Sequence, residues 1–143
     1  MKAAILSGLN TLEVKETTLP KLKPGAVLVK VLACAVCGSD IRILETGNPR
    51  VQYPAIIGHE IAGEIVEAEK NAKGLVVGNK VSIGADIPCG SCSWCQNGMG
   101  NCCDKNFAMG YQFSGGYAEY CLAHGLPEEC IRAQYGQISF PPA

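Results

Sequence analysis

A run of cysteines between residues 89 and 103 is the feature that most constrains what this chain can fold into. Cys89, Cys92 and Cys95 follow one another at steps of three, and Cys103 comes after a gap that contains two glycines. Thiolates at this spacing can wrap one ion, and four sulfurs at about 2.3 Å suit tetrahedral Zn²⁺. Disulfides are less favourable, because cysteines this close in a short loop have poorly placed Cα atoms. The spacing therefore predicts a zinc held by these four residues.

Length and charge limit the possible functions. The 143 residues are enough for one domain with a substantial core, and the net charge of −1 offers no electrostatic basis for binding nucleic acid or an anionic membrane. No apolar run has the length of a membrane span, and the apolar segment at the N-terminus is too short for a signal peptide. Without an export signal, nine cysteines indicate reduced ligands and core residues, so we expect a cytoplasmic protein.

Short clusters of valine and isoleucine between glycines and prolines predict a mostly β fold, a barrel or a sandwich. The predicted strands are a hairpin with a half-buried second strand (2–6 and 11–17) and a strong strand (27–33). Three more are predicted at 56–68 with a bend at Gly63, at 76–83 with an interruption at Gly78 and Asn79, and at 117–122. A short helix capped by Ser39 or Asp40 should end near Gly47. A single helical turn is predicted to open at residues 127–128, since proline favours the first position of a helix. No G-x-G-x-x-G motif follows a strand.

Three further residues could form a second metal site. Cys37 follows the strongest predicted strand, and His59 and Glu60 lie in the next strand region. A thiolate, an imidazole and a carboxylate make a mixed set typical of a catalytic zinc with an open position. Glu60 is either a direct ligand or a group that tunes the ion. From spacing alone, a core cysteine and a surface histidine explain these residues equally well.

Five segments, taken in order, resemble the N-terminal half of zinc-containing medium-chain alcohol dehydrogenases. They are Cys37-Gly38-Ser39-Asp40, the segment from Pro54 to Gly58-His59-Glu60, Val77-Gly78-Asn79-Lys80-Val81, the four-cysteine loop, and Gly115-Gly116-Tyr117-Ala118-Glu119-Tyr120. The Cys-Gly-Ser-Asp form is most similar to the polyol (sorbitol-like) and threonine dehydrogenases. The resemblance spans essentially the whole chain. It implies one catalytic domain over residues 1–143, a GroES-like β-barrel with short helices and a zinc-binding lobe loop.

The same resemblance implies a function and a set of site residues. Cys37, His59 and Glu60 would hold a catalytic zinc, Ser39 matches a hydroxyl that relays a proton, and the structural zinc would be held by Cys89, Cys92, Cys95 and Cys103. The full enzyme would oxidise a small alcohol or polyol by hydride transfer to NAD(P), and it would form a homo-oligomer. The Rossmann cofactor domain of the family is absent from this chain, so we expect the isolated chain to be inactive.

Departures from the family pattern and two alternatives accompany this interpretation. Arg42 stands where many relatives carry a relay histidine, and Cys102 is an extra thiol beside Cys103, which spacing favours as the fourth ligand. The first alternative is a non-catalytic zinc-stabilised binding module, which would leave Cys37 and His59 without a purpose. The second is an iron–sulfur electron-transfer protein, which fits less well because the gap before Cys103 is longer than in the bacterial ferredoxin motif.

Overall fold

The computed structural model describes residues 1–70, 72 and 75–123. Its elements are, in chain order, β1 (Lys2–Gly8), β2 (Thr11–Glu16), β3 (Val27–Ala35), α1 (Gly38–Thr46), β4 (Glu60–Ala68), β5 (Lys80–Ile83), β6 (Asp86–Ile87), α2 (Ser93–Gln96), a 3-10 turn (Gly100–Cys102), β7 (Phe107–Ala108) and β8 (Tyr120–Ala123). The predicted mostly β class with short helices is confirmed. The predicted helical turn at residues 127–128 lies outside the described residues.

A four-stranded antiparallel sheet with the order β5-β4-β3-β8 forms the centre of the fold. β3 is the predicted strong strand, and its first three residues, Val27, Leu28 and Val29, are buried. The β3–β4 register shifts between Val31 and Ala33, next to Gly63, where the sequence predicts a bend. A side chain at Gly63 would collide with the backbone of β3, because a Cβ there would contact the Lys30 carbonyl oxygen. The predicted bend is therefore confirmed.

The predicted opening hairpin is also confirmed, since β1 and β2 pair in antiparallel register. The expectation that β2 is half-buried is wrong, because all six of its residues are exposed. β1 uses its other backbone groups to bond Ala55 and Tyr117, with Leu6 N–H donating to Ala55 O at 2.8 Å and Ala4 N–H to Tyr117 O at 2.7 Å. β2 consequently lies at the outer edge of the pair, where nothing in the described residues covers it.

Three predicted strands begin later in the structure than the sequence suggests. β5 begins only at Lys80, because the preceding residues form a turn in which Asn79 Oδ1 accepts a hydrogen bond from Val76 N–H at 3.0 Å. β4 and β8 likewise begin at Glu60 and Tyr120. The residues before them pair irregularly instead, with Gly115 N–H bonded to Ile56 O at 2.7 Å and Tyr117 N–H to Ile57 O at 3.1 Å. This pairing brings the segment before His59 against Tyr117.

Two hydrophobic clusters support these elements. The larger one lies on the central sheet and includes Val29, Ile61, Ile65 and Met109. The smaller one joins β1 and α1 to the segment before His59, and its buried members are Leu6, Ile43, Val51 and Ile57. It fixes α1 relative to the start of β4. Within the described residues, no helix is long and apolar enough to cross a membrane.

Candidate metal centres

The start of α1 presents Cys37 and Ser39. The helix begins at Gly38 and ends before Gly47, whose φ of +78° suits glycine, so the predicted helix is confirmed. The predicted cap is wrong, because the N-cap residue is Cys37, and Ser39 and Asp40 lie within the first turn of the helix. The carboxylate of Asp40 still accepts the free N–H of Cys37, at 2.9 Å. Asp40 thereby fixes the backbone that carries the Cys37 thiol.

His59 lies against the same carboxylate. Its Nδ1 is 3.3 Å from Asp40 Oδ1, and its Nε2 is 3.4 Å from Ser39 Oγ. Nδ1 and Oδ1 are buried and face one another without an aligned hydrogen bond, and neither has another hydrogen-bond partner among the described residues. A carboxylate beside Nδ1 favours the tautomer with the proton on that nitrogen. This leaves Nε2 unprotonated, the state in which an imidazole binds a metal ion.

Tyr117 holds Asp40 from the other side. Its hydroxyl donates to Asp40 Oδ2 at 2.9 Å. Burial raises the pKa of this phenol, and the bond to Asp40 raises it further, so the hydroxyl keeps its proton as a donor. The ring lies directly on the backbone of Gly58, which has a φ of +91°, and a Cβ at Gly58 would come within 2.6 Å of the ring. Gly58 therefore admits both the backbone conformation and the aromatic ring.

Asp40 is the group that the sequence interpretation placed only as a possible cap. It is 2% exposed, and a buried carboxylate requires several polar partners. The structure supplies the Cys37 N–H, the Tyr117 hydroxyl and the facing Nδ1 of His59. The sequence does contain a signal for the bond to Cys37. Asp40 is an acidic residue three positions after a candidate ligand, in the first turn of a helix. No local pattern indicates the contact with His59 or Tyr117.

The structure brings the three residues of the predicted mixed site together. The candidate ligand atoms of Cys37, His59 and Glu60 all lie within 4.8 Å of one another. Cys37 and His59 are partly buried, whereas Glu60 is exposed. Sulfur, nitrogen and oxygen donors at this separation, with one side open, fit a zinc ion that keeps a position for another ligand. The donors come from the start of α1 and the start of β4, two elements far apart in sequence.

The four predicted thiol ligands also converge. Sulfur–sulfur distances are 3.4 Å for Cys92–Cys95, 3.9 Å for Cys89–Cys95 and 3.9 Å for Cys92–Cys103. A tetrahedron with zinc–sulfur bonds of about 2.3 Å has edges of about 3.8 Å, so the cluster has the size that Zn²⁺ requires. Cys89 and Cys103 are buried, while Cys102 is exposed. The structure therefore places Cys103, and not Cys102, in the cluster.

Hydrogen bonding and burial shift the pKa values of Cys89, Cys92 and Cys95 in different directions. The Ser91 hydroxyl and nearby backbone N–H groups lower the pKa of Cys89 to about 6, and the backbone N–H of Cys95 lowers the pKa of Cys92. Burial, followed by the neighbouring Cys92 thiol, raises the pKa of Cys95 to about 12. Without a cation, the four sulfurs cannot all be thiolates near neutral pH. A dication supplies the charge that allows full deprotonation.

The comparisons with known proteins agree with this geometry. The family model for the alcohol dehydrogenase GroES-like domain matches residues 23–133. The chain belongs to this family. The identification confirms the family and the domain type that the sequence motifs predict.

Relatives of this GroES-like domain are dehydrogenases. It is 41% identical over 126 residues to an alcohol dehydrogenase of Geobacillus stearothermophilus, covering 86% of this chain and 37% of that protein. It is 40% identical over 113 residues to the L-threonine 3-dehydrogenase of Pyrococcus horikoshii (strain ATCC 700860 / DSM 12428 / JCM 9974 / NBRC 100139 / OT-3), covering 77% and 32%. The chain thus spans about a third of the length of the curated relatives that it matches.

The fold of the GroES-like domain is shared with solved dehydrogenase structures. Galactitol-1-phosphate dehydrogenase from Escherichia coli superposes with a TM-score of 0.81 at 27% sequence identity, covering 94% of this chain and 41% of that one. This similarity agrees with the GroES-like fold implied by the motifs.

Arg42, which departs from the family pattern, is exposed on α1. Its side chain makes no hydrogen bond or ion pair with the described residues.

Proposed function

We propose that this GroES-like domain is the N-terminal, zinc-binding catalytic domain of a longer NAD(P)-dependent alcohol or polyol dehydrogenase. The observation that carries the proposal is the convergence of Cys37, His59 and Glu60, with Ser39 beside His59, in a fold that holds a separate four-thiol cluster. The short coverage of the relatives supports a longer enzyme. The proposal includes a Rossmann domain that binds NAD(P) in the longer enzyme, and assembly of that enzyme into a homo-oligomer.

The side chains of the mixed site would divide the work of holding the ion and the substrate. Zinc bound there would act as a Lewis acid that lowers the pKa of an alcohol. Cys37 would supply a thiolate from the residue before α1, and His59 would supply Nε2 from the residue before β4. Asp40 orients the imidazole from its Nδ1 side. Glu60 is exposed, so its carboxylate can approach or leave the ion without the cost of burying a charge.

Ser39 is placed to handle the proton of the substrate. Its Oγ lies 3.4 Å from His59 Nε2, the nitrogen that would bind the metal ion. A hydroxyl can accept the proton of the substrate alcohol while donating its own to a neighbour or to water. In the full enzyme, the carbon that bears this hydroxyl would lose a hydride, with its electron pair, to the nicotinamide ring, which would supply the redox chemistry. Arg42 carries a permanent positive charge and cannot continue the relay as a base.

The four-thiol cluster would contribute structure and no chemistry. Among the described residues, the buried members of its local hydrophobic cluster are Cys89 and Cys103, with Cys92 and Cys95 packed against them. A loop with so little apolar burial depends on its metal for order. The two centres should therefore respond differently to the loss of one ligand.

A Cys37→Ser substitution in the full-length enzyme tests the proposal. We expect kcat/KM for alcohol oxidation to fall roughly a thousandfold or more, because the Lewis acid loses a ligand. Elemental analysis should still find one zinc per chain, in the four-thiol cluster. Cys102→Ser removes an exposed thiol outside both sets and should leave both measurements unchanged. Normal turnover by Cys37→Ser would show that Cys37 holds no catalytic metal, and a parent protein without any turnover would favour a non-catalytic binding module.

The isolated chain offers a complementary test. Residues 1–143 contain no G-x-G-x-x-G motif after a strand, so we expect no steady reduction of NAD⁺ when the chain is mixed with a polyol. Nicotinamide absorbance measures this directly. Steady turnover would contradict the expectation that the cofactor binds to a separate domain of the longer enzyme. The purified chain should also be colourless. A visible absorption band together with iron would favour an electron-transfer protein.

A further inference from the structure

A pocket of about 280 Å³ lies next to the mixed metal site and is not part of it. Tyr111 connects the pocket to the metal site, since it lines the pocket and its ring centroid is 6.0 Å from that of His59. The other lining residues include two apolar ones, Pro54 and Ile56, and the polar Arg50 and Gln112. No aspartate or glutamate among the described residues lines it. The pocket therefore carries a positive charge at the edge of the proposed active site.

Arg50 is held in position although it is exposed. Its Nη2 donates to Asn106 O at 3.0 Å and to Gln112 Oε1 at 3.3 Å. Its Cζ lies 5.3 Å from the centroid of the Tyr111 ring, within the range of a cation–π contact. Gln112 is itself fixed, because the same Oε1 accepts the backbone N–H of Ala108 at 3.1 Å. Such fixing reduces the conformational entropy that the side chain would lose on binding a ligand.

The rest of the guanidinium is available. Within the described residues, Nε and Nη1 of Arg50 make no hydrogen bond, and no carboxylate forms an ion pair with Arg50. Asp86 is linked to it only through Asn106, whose Nδ2 donates to Asp86 Oδ1 at 2.8 Å. Residues 112–114 also line a second pocket, which contains Lys21 and Lys23 and, in the part of the chain described, no acidic side chain. A planar cation with free donors matches a carboxylate or a phosphate.

We propose that Arg50 binds the anionic group, a carboxylate or a phosphate, of an alcohol substrate whose reacting hydroxyl lies at the Cys37–His59–Glu60 site. This inference rests on the proposed dehydrogenase function. The centroid distances of 5.3 and 6.0 Å place Arg50 Cζ no more than about 11 Å from the centre of the His59 ring. At about 1.5 Å per bond, a substrate of roughly four to six carbons covers the distance that remains once each end is bound.

The test compares three substrates of equal carbon number in the full-length enzyme: a hydroxy acid, a polyol phosphate and the uncharged polyol. Arg50→Gln removes the charge and should lower the ratio of kcat/KM for the preferred anionic substrate to that for the polyol by about tenfold to a hundredfold. Arg50→Lys keeps the charge but replaces the planar, fixed guanidinium with a flexible ammonium group, and it should lose less. Whichever ratio falls more in Arg50→Gln, that for the hydroxy acid or that for the polyol phosphate, identifies the group that Arg50 binds.

A matched control removes a positive charge from the neighbouring pocket. Lys21→Gln should change the ratio by less than about threefold, since exposed charges at a distance are screened. Circular dichroism and zinc content of each variant check that the fold is intact. An unchanged ratio in a folded Arg50→Gln enzyme that still oxidises polyols would overturn this inference alone. Failure of the parent enzyme to oxidise any of the three substrates would overturn it together with the proposed function.

Discussion

The two candidate metal centres are built from the chain in opposite ways. The four thiols come from one loop, 89–103, and their sulfurs lie 3.4–3.9 Å apart with two of the residues buried. The mixed site takes Cys37 from the start of α1 and His59 and Glu60 from the start of β4, and one of its three donors is exposed. The first centre is closed and uniform in chemistry. The second is open and mixed.

On the proposed function, this contrast would separate a metal that stabilises the fold from one that takes part in a reaction. A closed set of four thiolates leaves no position for a substrate, whereas an open mixed set does. Among its described residues the loop has almost no apolar core, so we expect its order to depend on a metal ion. The mixed site instead depends on protein packing, through Asp40, Tyr117 and Gly58. Loss of a ligand should therefore cost stability in the loop, and changes around the mixed site should mainly affect the position of His59.

The largest effect should follow from Cys103→Ser. We expect the zinc of the loop to be lost and the free energy of unfolding to fall by several kcal/mol, because metal binding contributes directly to folding. Zinc analysis and thermal unfolding followed by circular dichroism measure both effects. Cys102→Ser, next to it but exposed, should change stability by no more than about 0.5 kcal/mol. If Cys102→Ser lost the zinc and Cys103→Ser kept it, the assignment of the fourth ligand would be reversed.

Gly58→Ala should destabilise the fold by about 3 kcal/mol and displace His59. Two costs add: the left-handed backbone conformation at φ +91° and the collision of a Cβ with the Tyr117 ring. Gly78 has the same φ of +91°, but no atom lies within 4 Å of the position that a Cβ would occupy there. Gly78→Ala should therefore show the backbone cost alone, about 1 kcal/mol. Urea unfolding of both variants measures the difference, and equal losses would show that the ring contact is unimportant.

Asp40→Asn should weaken zinc binding at the mixed site by about tenfold to a hundredfold while the loop keeps its zinc. The amide cannot replace the carboxylate that faces His59 Nδ1 and accepts two hydrogen bonds. Competition with a chelator in the full-length enzyme measures the zinc affinity of the mixed site separately from that of the four-thiol loop. Asp104→Asn makes the same charge change at an exposed position and serves as the control. Equal zinc affinity in the two variants would contradict the role of Asp40.

Tyr117→Phe should have the smallest effect, a loss of about 1 kcal/mol from the hydrogen bond to Asp40. Burial raises the pKa of Tyr117, so the folded protein keeps the phenol proton at a pH where the unfolded chain releases it. The contribution of this group to stability is complete below about pH 10 and declines as the pH rises further. Unfolding curves above about pH 10 should show a weaker decline in Tyr117→Phe. Tyr120→Phe is the control, and an identical decline in both variants would contradict the prediction.

Individual residues show how far the sequence could predict this protein. The hairpin, the strand from Val27 and the helix before Gly47 follow from periodicity and caps, which are local properties. The burial of β2 was predicted wrongly, because alternation along a strand does not reveal whether anything covers its faces. The start of β5 was also missed. The bond from Val76 to Asn79 competes with strand pairing there, and the pattern of apolar residues does not record that competition.

The sequence by itself determined the loop centre, because ligands in one short segment need only the right spacing and a few glycines to meet around an ion. It also determined the family, since several motifs occur in a specific order. Only the tertiary structure decided that Asp40 faces His59, that Tyr117 holds Asp40 over Gly58, and that Arg50 lies beside Tyr111. These contacts join residues far apart along the chain, and their geometry depends on how the hydrophobic clusters pack the elements together.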